Sequence, residues 1–216
     1  MRSYHQRAGK MTSTQARGLA DGLPRYAVPD EPLVLDLAQI FDGRSVVLDI
    51  GFGMGESVVE LTSDHPELGV LGLEVHDRGI GQLLAAVLDA DSSNVRVARA
   101  DAAEFLRDRV PPESLMGVRL FFPDPWPKKR HHKRRLVQPA WANLVASRLV
   151  AGGYLHCATD WEDYGRHMRE VLDDEAGLVR RDDLVDEYRS SRPTTKYERI
   201  GLDRGHIVTE LVYLRG

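Results

Sequence analysis

Two constellations in this 216-residue chain carry chemistry. The first is Asp49-Ile50-Gly51-Phe52-Gly53-Met54-Gly55, three glycines at alternate positions after an acid. Glycine has no Cβ and adopts positive φ freely, so such a loop lets backbone approach a ligand closely. A tight strand-to-helix turn would use the same residues. A dinucleotide fingerprint would need its third glycine at position 56. Glu56 stands there instead, a negative charge where a pyrophosphate should meet a helix N-terminus. With no basic residue nearby, the loop suits a ligand bearing an ammonium and a sulfonium, as S-adenosylmethionine does. Glu74, nineteen positions beyond Gly55, is placed to accept hydrogen bonds from both ribose hydroxyls. Asp101 is placed to accept from the adenine amino group, to cap the helix that follows it, or both.

The second constellation runs from Phe121 through Pro123-Asp124-Pro125-Trp126-Pro127 into Lys128-Lys129-Arg130-His131-His132-Lys133-Arg134-Arg135. Three prolines in five positions force a rigid extended turn that fixes Asp124 and Trp126. A carboxylate beside an aromatic suits a planar base, one accepting N–H donors and the other stacking. The cations that follow suit phosphates. A solvated helix face is the plainer account of a charge run, but this one abuts a proline-locked strand end.

The elements that must position these residues alternate. Short β-rich runs at 45–50, 70–75, 95–99, 118–122 and 154–158 are separated by helical stretches near 55–64, 78–90, 102–109, 133–150 and 161–176. This alternation predicts βαβ units, a doubly wound α/β fold with a parallel sheet covered on both faces. Residues 206–215 form one further strand with no helix after it, and 182–204 fit a loop or short helix. Each strand ends on an acid: Asp49, Glu74, Asp101, Asp124 and Asp160. Ligands of open α/β sheets bind beyond those ends. Residues 1–30 are polar and basic, closing on Pro24, Pro29 and Pro32, and read as a mobile arm. The remainder, 31–216, reads as one domain.

Composition sets bounds. Hydrophobic residues at 42% and charged residues at 29% exclude a disordered or fibrous chain. No apolar run is long enough to span a membrane, the N-terminus lacks a secretory pattern, and Cys157 has no partner for a disulfide. No Cys/His spacing suggests a metal. A cytoplasmic protein, monomeric or homodimeric, is expected. The net charge of −4 hides an asymmetry, since the run 128–135 holds six of the 29 basic residues and no acid. The remaining 23 face 33 acids, so most of the surface repels nucleic acid while one patch attracts it. Cys157, Trp141 and Leu144 read as core; Trp161, after Asp160, reads as core or as cleft wall.

The chain resembles the bacterial tRNA (guanine-N7-)-methyltransferases. The likeness lies in R-A-G-K-M-T-S-T-Q (7–15), D-I-G-F-G-M-G (49–55), G-L-E-V-H (72–76) and A-D-A (100–102). It continues in P-D-P-W-P-K-K-R-H-H-K-R-R-L (123–136), A-T-D-W (158–161) and R-P-T-T-K-Y-E (192–198). The resemblance implies a seven-stranded class I methyltransferase fold with an antiparallel C-terminal strand, and methylation of guanine 46 in the tRNA variable loop. It implies that Asp49, Gly51, Gly53, Gly55, Glu74, Asp101 and Asp124 hold S-adenosylmethionine. Lys128, Asp160, Thr195, Lys196, Tyr197 and Glu198 would meet the substrate, and Arg130, His131, His132, Lys133, Arg134 and Arg135 the RNA. Asp49 stands where Glu is common in the family, Tyr197 where Phe is, and His132 where Glu often is.

Guanine N7 carries a lone pair and no proton, so methylation there needs no general base. Positioning is most of the task. A carboxylate stabilises the cationic product, with Asp124 the first candidate and Asp160 the second. Three other readings compete: an amino-methyltransferase acting on an exocyclic nitrogen, because Asp-Pro-Trp-Pro loosely matches the motif of those enzymes; a non-catalytic RNA-binding module; and, more remotely, a dehydrogenase.

Overall fold

The structure is a computed structural model that describes Tyr4 and residues 9–194, 198–199 and 205–216. Thr195, Lys196 and Tyr197, expected to meet the substrate, lie outside the described residues. Seven strands form one sheet in the order β3-β2-β1-β4-β5-β7-β6. They are β1 (Ser45–Ile50), β2 (Leu68–Glu74), β3 (Val95–Arg99), β4 (Leu115–Phe121), β5 (Leu149–Thr159), β6 (Leu178–Arg180) and β7 (Thr209–Arg215). The first five pair in parallel, and β7 runs antiparallel to both β5 and β6. The expected doubly wound sheet with an antiparallel last strand is therefore the observed one.

The strands read as near-continuous apolar runs because both faces are covered. In β1 every residue after Ser45 is buried. On one face Val47, Val70, Val95 and Val97 pack under α4 (Glu56–Asp64) and α5 (Asp77–Asp89). On the other, Leu48, Leu71, Val118 and Leu155 pack with α6 (Ala102–Asp108), α7 (Pro139–Arg148) and α8 (Glu162–Asp173).

Two expectations are corrected. Residues 12–28 are no mobile arm. Thr12 caps a helix at Ser13–Arg17 in a reciprocal box with Gln15, and the chain continues helical to Tyr26. Two glycines let this segment lie directly on α5: a Cβ at Gly18 would fall 2.0 Å from the Gly81 carbonyl oxygen, and one at Gly81 would fall 2.2 Å from that of Gln15. Tyr26 is 1% exposed and donates to the Val87 carbonyl at 3.2 Å. Ala27 then bridges Val97, so the segment extends the sheet edge and belongs to the domain. The proposed helix 133–150 is also broken. Residues 129–134 form a 3-10 turn, and α7 starts only at Pro139, whose missing N–H suits a first helical position. The short β6 at Leu178–Arg180 was not expected, while the 3-10 turn at Asp182–Leu184 and the helix at Val185–Ser190 fall where a loop or short helix was expected.

Candidate functional site

Sheet order brings the five acids to successive strand ends along one edge, in the sequence Asp101, Glu74, Asp49, Asp124, Asp160. At its centre is the glycine loop. Gly51, Gly53 and Gly55 take φ of +70°, +60° and +88°. A Cβ on Gly51 or Gly53 would project into open space, a cradle of free backbone above the strand end. Gly55 has a different task, since a Cβ there would sit 2.8 Å from that of Leu83. It lets α4 start against α5.

Asp49 is 1% exposed, accepts from the Ser57 hydroxyl at 3.2 Å and lies 3.5 Å from the Arg119 Nε. Burial pushes its carboxyl above the usual range, opposed by Arg119 and Ser57. It is tied to α4 through Ser57 and to β4 through Arg119. Glu74, at the end of β2, braces the glycine loop. Its Oε2 accepts the Gly53 amide at 3.1 Å, and its Oε1 receives Val75 N, His76 N and His76 Nδ1 within 2.7–3.0 Å. Four donors match the roughly four acceptor sites of a carboxylate. Asp101 caps α6 through Oδ1, accepting from Ala103 and Glu104 amides. Its Oδ2 has no hydrogen-bond partner among the described residues, so capping and base recognition are compatible.

Beside the loop, β4 ends and the Phe122 amide donates to the Ala158 carbonyl at 2.8 Å. Phe122 and Trp126, each followed by proline, take φ of +50° and +45°. Non-glycine residues there cost about 1–3 kcal/mol each and persist where surrounding packing holds them. Trp126 supplies that packing: it is 4% exposed, with Arg134 over its ring at 4.9 Å and His131 against its edge. It anchors the turn and cannot stack on a base, which corrects the reading of the Asp124–Trp126 pair. Asp124 is half-buried on the same turn.

The basic stretch divides. Lys128, Lys129, Arg130 and Lys133 are exposed. Arg134 and His131 are engaged on Trp126, while His132 lies 3.1 Å from Arg135 Nη2. Arg135 is not an RNA contact. Its side chain is 1% exposed, bonded to the Pro125 carbonyl and to Asp163, over the Tyr164 ring. It ties the proline turn to α8.

On the far side, Asp160 takes a hydrogen bond from His206 Nδ1 at 3.1 Å. Glu198, expected to touch substrate, is 2% exposed, and its carboxylate is held by Arg192 at 2.6 and 3.2 Å. Arg192 also grips Glu210 at 2.8 Å through two nitrogens and lies over the rings of Phe121 and Phe122. His156 completes the cluster, 2.6 Å from Glu210. Burial opposes the charge on Glu210, but Arg192 and His156 outweigh it and hold the carboxyl at about 2. Burial lowers His156. Arg119, His156, Arg192 and Glu210 were missed in the sequence. The available signal was a charged or polar residue inside an apolar strand run, as in V-R-L-F-F and Y-L-H-C-A. Among the described residues no acid, histidine or cysteine cluster could hold a metal, and no helix is long and apolar enough to cross a membrane.

Comparison with known proteins follows the same lines. Residues 43–211 match a family model described as "Putative methyltransferase". A tRNA (guanine-N(7)-)-methyltransferase of Alkalilimnicola ehrlichii is 49% identical, the match covering 99% of this chain and 92% of that protein. One of Thiobacillus denitrificans is 46% identical over 100% of this chain and 95% of its own length. Among solved structures, the 16S rRNA methyltransferase KamB superposes with a TM-score of 0.59 at 14% identity, covering 88% of this chain and 97% of that one. An antibiotic-related methyltransferase gives 0.55 at 16% identity, covering 84% and 92%. These structures share the fold.

Proposed function

Because the chain belongs to the tRNA (guanine-N(7)-)-methyltransferase family, we propose that it transfers a methyl group from S-adenosylmethionine to N7 of guanine 46 in the tRNA variable loop. One relationship carries the reading. An open glycine cradle and a strained, proline-locked turn bearing Asp124 share one end of the sheet, and that turn leads directly into exposed cations.

When bound, S-adenosylmethionine supplies an electrophilic methyl group on a sulfonium. The residues present fit it: Gly51 and Gly53 leave room against their backbone, Glu74 would accept from the ribose hydroxyls and Asp101 Oδ2 would accept from the adenine amino group. No basic residue lies in the loop to favour a phosphate instead. Asp124 and Asp160 place negative charge beside the incoming base. Since N7 has no proton, neither acts as a base; both stabilise positive charge on the purine as it forms. Lys128, Lys129, Arg130 and Lys133 hold the phosphate backbone and orient the RNA. A tRNA substrate places the reaction in the cytoplasm.

The test is direct. Bulk tRNA is methylated by the full chain with labelled cofactor, digested and resolved into nucleosides. Label in 7-methylguanosine is expected. Label on an exocyclic amine would establish the amino-methyltransferase reading instead, and binding of tRNA without label the non-catalytic one.

A further inference from the structure

We propose that Trp161 is the surface on which the target guanine stacks, an inference that rests on the base-methylation reading above. The chain has three tryptophans. Trp126 and Trp141 are each 4% exposed, whereas Trp161 is 36% exposed. Near the strand ends, other described aromatics are engaged, Tyr4 among them with its ring against that of His76. Phe52, within the glycine loop, turns its side chain into the core, and Phe121 and Phe122 lie under the Arg192 guanidinium. Trp161 is thus the most exposed tryptophan and stands at this edge.

Its position is set by backbone. Trp161 directly follows Asp160 at the end of β5 and caps α8, with its amide held by Thr159 Oγ1 at 3.3 Å. Strand β5 neighbours β4 with Phe121 opposite Ala158, so Trp161 and the Asp124 turn leave the sheet side by side. A purine presented to a methyl donor needs its edge and its face fixed together. Asp124 and Asp160 address the edge; the indole addresses the face. Methylation at N7 makes the base cationic, and indole is the strongest neutral partner for a cation among the aromatic side chains. The stack therefore tightens as the reaction proceeds.

Trp161→Ala and Trp161→Phe test this with the full chain, bulk tRNA and S-adenosylmethionine. Loss of one base–aromatic stack predicts a fall of about ten- to a hundredfold in kcat/KM for tRNA, with cofactor affinity unchanged and most of the loss recovered by Phe. In a second measurement, tRNA should quench the tryptophan emission of the wild type and of Trp126→Phe, but not of Trp161→Phe. Wild-type kcat/KM in Trp161→Ala would overturn the assignment. So would quenching that persists in Trp161→Phe, or a loss of cofactor affinity with the tRNA dependence intact. If the wild type leaves tRNA guanine unmethylated, the underlying reading fails and the assignment with it. If the wild type methylates and Trp161→Ala matches it, the assignment alone fails.

Discussion

Glu74 holds Gly53: the carboxylate Oε2 accepts the glycine amide at 3.1 Å across 21 residues of sequence. The residue expected to recognise ribose thus also sets the shape of the cradle. Glu74→Ala removes an acceptor shared by the loop and the ligand, and should weaken S-adenosylmethionine binding by about 1.5–3 kcal/mol. Isothermal titration checks this, and an unchanged dissociation constant would take Glu74 out of the site.

The same loop is braced from behind. A Cβ on Gly79 would fall 2.1 Å from the Gly53 carbonyl oxygen, and neither backbone can give way cheaply. Gly79→Ala should displace the loop, lower stability by about 1–3 kcal/mol and weaken cofactor binding without touching a ligand. Thermal unfolding together with cofactor titration reads both effects.

The exposed and buried cations should separate in experiment. Replacing Lys128, Lys129, Arg130 and Lys133 with Ala should raise the KM for tRNA and flatten its salt dependence by about 0.7–0.9 in log–log slope per lost phosphate contact. Arg135→Ala should leave that slope unaltered. It should lower stability by about 1.5–3 kcal/mol, because the Pro125 carbonyl and Asp163 lose their donor. An Arg135 variant of wild-type stability with a reduced salt slope would reverse the assignment.

Asp124→Asn keeps size and deletes charge. If Asp124 stabilises positive charge on the base, the methylation rate should fall about a hundred- to a thousandfold, while tRNA binding weakens far less. Added small bases should not rescue it, since N7 has no proton to remove. Single-turnover kinetics with and without imidazole decide the point.

Acid should loosen the C-terminal cluster. Glu210 is held at about 2 in the folded chain, below its usual value of 4.5. A depressed carboxyl contributes stability that is present above the unfolded value and lost as pH falls through the folded one, here between about 4.5 and 2. The shift corresponds to about 3 kcal/mol. His156, lowered chiefly by burial, acts in the same direction, with its loss beginning near the ordinary histidine range. Denaturant titrations of wild type and Glu210→Gln from pH 7 to 3 should converge as the pH drops. Parallel curves would show that the pair does not titrate with folding.

The alternation of β-rich and helical runs, the acid at each strand end and the glycine loop were legible along the chain, because each is a local pattern imposed by backbone geometry and by burial on both sheet faces. So was the basic run after Pro127. Which of its cations face water was not legible: Arg130 and Arg135 look alike in sequence, and only the packing of α8 under the proline turn buries the second. The same holds for Trp126 and Trp161, one covered by Arg134 and the other left open at a strand end. The N-terminal segment looked free because its polar residues have no apolar period. Its docking depends on glycines 18 and 81, 63 positions apart, meeting where no side chain intervenes. Local pattern determines which residues reach the edge of the sheet. Side-chain packing between distant segments decides which of them remain available to a ligand, because burial is a property of neighbours that the sequence does not place side by side.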